Sequence, residues 1–165
     1  MFREMRRIKQ LLSPAETEAI LSRGSHGVLS VLGDDGYPYG VPISYAYADG
    51  RIYMHCAASG HKLDAISSCD KASFCVVDAD DILPEKLTTC YRSAIAFGRV
   101  HLLTDDAEKR RAIELICSKY CPNIPAAKIE SSIAAEWAGL GIICFTIEHI
   151  TGKQANELVK RRESN

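Results

Sequence analysis

Two tight turns close together limit what this chain can fold into. Gly33-Asp34-Asp35-Gly36 and Ala48-Asp49-Gly50 each separate stretches in which apolar and polar residues alternate. Residues 27–32, 37–47 and 51–56 therefore read as three strands joined by hairpin turns. Connections this short can join only antiparallel neighbours, because a parallel crossover needs a dozen residues or more. Three further strands are expected at 71–77, at 87–103 with Gly98 as a bulge or bend, and at 141–148. The acidic stretch 78–86 reads as a loop. The expected class is mainly β: six antiparallel strands in a small closed or partly closed barrel, with peripheral helices.

The helices announce themselves by their ends. Ser13-Pro14-Ala15-Glu16 supplies a cap hydroxyl, a proline at the first helical position and a glutamate three residues after the cap. That helix should run to about Ser22 and stop at Gly24. A short helix follows over 61–68, and an amphipathic one over 105–120 with acidic residues in its first turn and Lys119 in its last. Residues 126–137 look helical with looser apolar spacing, and 153–162 read as a polar helix. A chain of 165 residues suits one domain. The expected organisation is an arm and helix over 1–24, a barrel with inserted helices over 25–150 and a C-terminal helix over 151–165.

Composition narrows the class of partner. A formal charge of -1 gives no global field toward nucleic acid or an anionic membrane, and the apolar runs are too short to span a bilayer. Met1-Phe2-Arg3-Glu4-Met5-Arg6-Arg7 lacks the apolar run of a secretory signal, so a cytoplasmic location is expected. Seven cysteines at irregular gaps point to free thiols rather than a disulfide framework. Only Cys117 and Cys121 approach zinc-ligand spacing; they share one face of a helix and lack a second pair nearby, so no metal site is expected.

The stretch from Ile52 to Ala65 is the most informative. A strand ends, small residues turn the chain, and a helix begins with Ser59, Gly60, His61 and Lys62. Free backbone N–H groups at a helix start, the positive end of its dipole and an adjacent ammonium make an anion site suited to phosphate. The plainer reading is Ser59 as an ordinary N-cap. His55, at the end of its strand, is either a packing residue or an acid/base group poised near neutral pH. Val41-Pro42-Ile43-Ser44 belongs to an edge or interrupted strand, because Pro42 cannot donate to a ladder. Its free backbone groups could meet a flat ligand with amide-like edges. Arg92 could face an anion or solvent, and Trp137 could pack or serve as a stacking platform. Walker, dinucleotide-fingerprint, H-E-x-x-H and nucleophile-elbow motifs are absent from the sequence.

Taken together in chain order, five segments resemble the nitroimidazole-resistance (Nim) family. They are Met5-Arg6-Arg7, the strand Gly40 to Tyr45, the run Tyr53 to Lys62, the strand Tyr91 to Arg99 and the late segment Ile147 to Lys153. That family is a branch of the pyridoxamine 5'-phosphate oxidase-like, flavin-binding split barrels. The resemblance implies a six-stranded split β-barrel, and a homodimer with flavin at the subunit interface. FMN is the implied cofactor, with FAD possible. Carried over by position, Ser59, His61 and Lys62 bind the flavin phosphate. Val41, Pro42, Ile43 and Ser44 line its ring, and Arg92, Ser93 and Ile95 border it. His55 matches the histidine near the flavin's reactive face and is the implied proton donor. The implied activity is a flavin-dependent reductase acting on a small electrophile such as a nitroaromatic. The alternative is a non-catalytic flavin- or haem-binding carrier or sensor. Where many relatives carry Gly-Arg-Lys, this chain has Gly60-His61-Lys62. A titratable group replaces a permanent charge, so flavin affinity is expected to weaken above about pH 7; equal affinity in acidic and mildly basic buffer would contradict this.

Overall fold

The first helix does what its sequence announces. In the computed structural model, which describes residues 2–163, α1 (Pro14–Arg23) opens on a complete capping box. The Ser13 side chain accepts from the Glu16 N–H and the Glu16 carboxylate accepts from the Ser13 N–H at 2.9 Å. Its Ile20 and Leu21 are fully buried, each contributing roughly 1.5–3 kcal/mol of burial.

The strands are β1 (His26–Leu32), β2 (Pro38–Ser44), β3 (Ala46–Ala48), β4 (Arg51–Ala57), β5 (Lys71–Leu83), β6 (Thr88–Leu102) and β7 (Leu140–Gln154). They form one antiparallel sheet in the order β2-β1-β5-β6-β7-β4-β3. Among the described residues there are thus seven strands, not the expected six. The expected strand 37–47 is broken at Tyr45, and its halves lie at opposite edges of the sheet. One residue carries the chain from the first edge to the last, so the sheet has to curl until those edges approach.

Tyr45 is held there by polar groups. Its phenol donates to the Leu21 carbonyl at 2.7 Å, and its N–H donates to the Tyr120 hydroxyl at 2.9 Å. The Lys119 ammonium donates to the carbonyls of Gly24 and Tyr45 at 2.6 and 2.9 Å and lies 4.1 Å above the Tyr45 ring. Burial pushes the Tyr45 phenol well up and draws the Lys119 ammonium down from its usual range.

Two other expectations change. Residues 78–86 are not a loop: β5 continues to Leu83 after a register shift between Val77 and Ala79, and its turn is Pro84–Lys86. Asp80 and Asp81 pair through their backbone with Tyr91 and Cys90 while remaining exposed. Their polarity marks solvent on the hairpin arm, which alternation alone cannot distinguish from a loop. The last strand also runs beyond 141–148, to Gln154. Gly98 does sit at a register shift, and a Cβ there would collide with the Thr146 carbonyl oxygen.

The remaining helices are α2 (His61–Ser68), α3 (Asp106–Tyr120), α4 (Ala126–Glu136) and α5 (Asn156–Glu163). The inner faces of the strands, with α1 and α2, enclose one core that includes Leu29, Met54, Phe74 and Phe145. A second cluster lies outside β4 and β7 under α3, where Tyr53 and Ile142 meet Ile113, Ile116 and Ile133. No helix among the described residues is long and apolar enough to cross a membrane.

Candidate functional site

The β2 edge and the start of α2 form one corner. β2 pairs only with β1, so its other edge offers free backbone groups and tolerates Pro42 without losing a ladder bond. Register places Val41 and Ile43 beside the inward Leu29 and Gly27, and Pro42 and Ser44 beside the outward Val28 and His26. The four residues thus divide between the two faces of one edge strand.

At α2 the helix cap is Gly60, with φ 128°, and no side chain caps the first turn. Ser59 is therefore not the N-cap. Its exposed hydroxyl lies just before it. A Cβ built on Gly60 would meet nothing within 4 Å; the Leu63 N–H already donates to the Gly60 carbonyl at 2.8 Å, which leaves the His61 and Lys62 N–H groups as the ones a ligand at this helix start could use. His61 bridges the two elements: its ring stacks on Tyr39 of β2 at 4.3 Å, and its Nε2 lies 3.4 Å from the Asp34 carboxylate. Lys62 is half-buried. Burial pushes the Cys56 thiol up, and the Lys62 charge partly opposes that shift.

The other predicted residues lie elsewhere. His55 is exposed on the face of β4 opposite Met54 and Cys56. There it lines a cleft of about 650 Å³ between the end of β4, α3 and α4. Ile95 stands on the outer sheet face in a continuous row with Cys75, Val28 and Pro42. Ser93 lies two residues nearer the α1 end. Arg92 turns the opposite way, with its Nε 3.7 Å from the Asp78 carboxylate. Asp78 already holds Arg23 bidentately at 2.5 and 2.6 Å, a bond that raises the Arg23 guanidinium further. The Arg92 Nε is buried without a hydrogen-bond partner. The α2 start with Ser59, His61 and Lys62 meets β2 through Tyr39, two to five residues along the strand from Val41–Ser44, and Arg92, Ser93 and Ile95 lie apart from it on β6.

Sequence reasoning missed two features. The Arg23–Asp78–Arg92 group was hidden because 78–86 read as a loop. The cleft draws on Cys56, Cys117 and Cys121 from distant elements. Its one sequence signal was the shared helix face of Cys117 and Cys121. All seven cysteines are free thiols, and no three potential metal ligands converge among the described residues.

Several solved structures share this fold. A candidate 5-nitroimidazole antibiotic resistance protein of Bacteroides thetaiotaomicron VPI-5482 superposes with a TM-score of 0.72 at 18% identity, covering 87% of this chain and 86% of the other. A conserved hypothetical protein of Mycobacterium tuberculosis gives 0.80 at 17%, covering 94% and 92%. The FAD and heme binding protein of Mycobacterium smegmatis gives 0.75 at 21%, covering 90% and 74%. Identities this low speak for the fold alone. No curated protein matches the chain. The model of one family, pyridoxamine 5'-phosphate oxidase, matches residues 13–154; with a sheet that curls through Tyr45 and a helix start beside an edge strand, the chain belongs to that family.

Proposed function

We propose that this protein is a flavin-binding oxidoreductase of the Nim branch, reducing a small electrophilic acceptor such as a nitroaromatic. The observation that carries this reading is the corner itself: an uncapped α2 start with open space at Gly60, a half-buried Lys62 and a free β2 edge. A flavin phosphate fits the His61 and Lys62 N–H groups with the Ser59, His61 and Lys62 side chains, and the β2 edge offers backbone groups to the ring. FMN satisfies these contacts; FAD is the alternative. When bound, the flavin supplies the two-electron chemistry that no side chain here can provide. His55, exposed at the end of β4, holds the proton for the acceptor.

A second copy of the chain completes the reading. Val77, Ile95 and Phe97 expose 61, 39 and 40% of their surface on one outer sheet face. Apolar residues grouped in this way suit an interface. In a homodimer, Ser93 and Ile95 on this face reach the flavin held by the partner, which accounts for their separation from Lys62 within one subunit, while Arg92, turned toward Asp78, stays out of that contact. Val77→Asp with Phe97→Asp should convert a sedimenting dimer to monomer and release the flavin. A dimer that survives both charges contradicts the assignment.

The test of the cofactor is the visible spectrum of freshly purified protein, with chromatography of whatever denaturation releases. Lys62→Ala should lower flavin affinity by about tenfold to a hundredfold, the 1.5–3 kcal/mol of a charge-assisted contact, without unfolding. Unchanged retention would refute the phosphate assignment. His55→Gln should keep the flavin and lose nicotinamide-driven nitroimidazole reduction; full turnover in that variant removes the proton-donor role. A haem-binding carrier is the second reading, favoured by the named ligands of the Mycobacterium smegmatis structure. It predicts a Soret band in the same spectrum.

A further inference from the structure

The cleft under α4 has a chemistry of its own. Ile113, Ile129, Ile133 and Leu140 give it aliphatic walls, and Cys117 adds a thiol that burial keeps in its neutral form. Its charged lining residues, Lys128 and Glu136, are of opposite sign and both lie on α4. His55 stands at the β4 end as a group able both to donate and to accept. A volume of about 650 Å³ lies within the roughly 300–1,000 Å³ usual for small-molecule sites.

Two further observations concern position. Cys56 and Ala57 at the end of β4 line the cleft, and α2 begins only four residues later at His61, so the cleft and the α2 corner adjoin along the chain. α4 buries only Ile133. A second space of about 440 Å³ against α3 adjoins the cleft and shares Cys117, Ile129 and Ile133 with it. The helix is tied down by the Arg110–Glu130 ion pair and by Lys109, which donates to the Trp137 carbonyl at 3.0 Å.

We propose that this cleft binds the acceptor, and that the acceptor is a neutral, mainly apolar molecule with one hydrogen-bonding group for His55. The role of acceptor rests on the flavin reading above; the pocket and the class of its ligand do not. An anion could pair only with Lys128, which Glu136 on the same helix offsets, and the rest of the lining is mainly aliphatic, where a charge without a partner of its own is costly.

Nile red, a neutral dye, and anilinonaphthalene sulfonate, an anionic one, separate the possibilities in fluorescence titrations of the purified full chain. Nile red should saturate at one site per chain and bind at least about tenfold more tightly than the sulfonate. Ile129→Trp, which fills the cleft, should weaken Nile red about tenfold or more while near-ultraviolet circular dichroism stays native. Cys117→Phe provides a second filling variant on the opposite wall. Equal affinity for the two dyes in the unsubstituted protein would overturn the ligand class without recourse to any variant. Nile red binding that survives filling, or that disappears instead with Phe97→Asp on the sheet face, would overturn the pocket. Failure of the flavin reading shows separately, as a purified protein without a flavin spectrum.

Discussion

α1 and α4 are helices of ten and eleven residues on the outside of the same barrel, and they are built in opposite ways. α1 carries a full capping box, an acidic residue in its first turn and a basic one in its last. It seals its end of the barrel with Ile20 and Leu21, both fully buried. α4 has no side-chain cap, no acidic first turn and no basic last turn, and it stands over two adjoining spaces. The contrast teaches where the molecule stores stability and where it keeps room. A helix that plugs a core can be stabilised at every level at once, whereas a helix over a binding space must leave contacts unmade.

The largest expected break of this contrast is Leu21→Ala. Deleting that side chain from a site with no room to relax should cost about 3–5 kcal/mol in urea unfolding, against about 2 kcal/mol or less for Ile133→Ala beside the clefts. Equal costs would show that α4 is as tightly packed as α1. Next comes Lys119→Met, which leaves the Gly24 carbonyl without its side-chain donor and the Tyr45 carbonyl with only the Tyr120 hydroxyl; about 1–3 kcal/mol is expected from the same measurement. Ser13→Ala should cost about 1 kcal/mol by removing the cap.

Alkaline pH sharpens the comparison by another route. Burial raises the thiols of Cys56, Cys75, Cys117 and Cys144 and the phenol of Tyr45. For such groups the folded state holds protons that the unfolded chain has released, so their stabilisation is complete below the unfolded value and lost as pH rises through the folded one. Lys119, drawn down by burial, acts in the opposite sense over its own window, and the five raised groups outweigh it. The urea midpoint should therefore fall as pH climbs beyond about 9, and less steeply in Cys144→Ala. A flat profile would contradict the burial of these groups. The smallest effect belongs to Arg110→Ala, which should leave global unfolding unmoved while speeding amide exchange along α4 alone.

The elements were legible where one local rule decides them. Ser13, Pro14 and Glu16 encode a capping box within four residues, Gly98 marks a bulge, and Pro42 excludes a central strand. The paired turns around residues 33–36 and 48–50 encode the antiparallel connections. The acidic residues 78–81 misled because their exposure on a hairpin arm gives the same pattern as a loop. The break at Tyr45 was invisible because it depends on Lys119 and Tyr120, more than seventy residues away in the chain.

The sequence by itself determined the mainly β class, the capped first helix and the edge character of Val41-Pro42, because each follows from bonds within a few residues. Tertiary structure alone decided that the sheet curls through Tyr45 and that His61 stacks on Tyr39. It also decided that Arg92 turns to Asp78 while Ile95 faces outward, and that His55 looks into a cleft made with α3 and α4. Those outcomes depend on which face each strand residue presents once the sheet curls, and that is set by register between segments far apart in the chain.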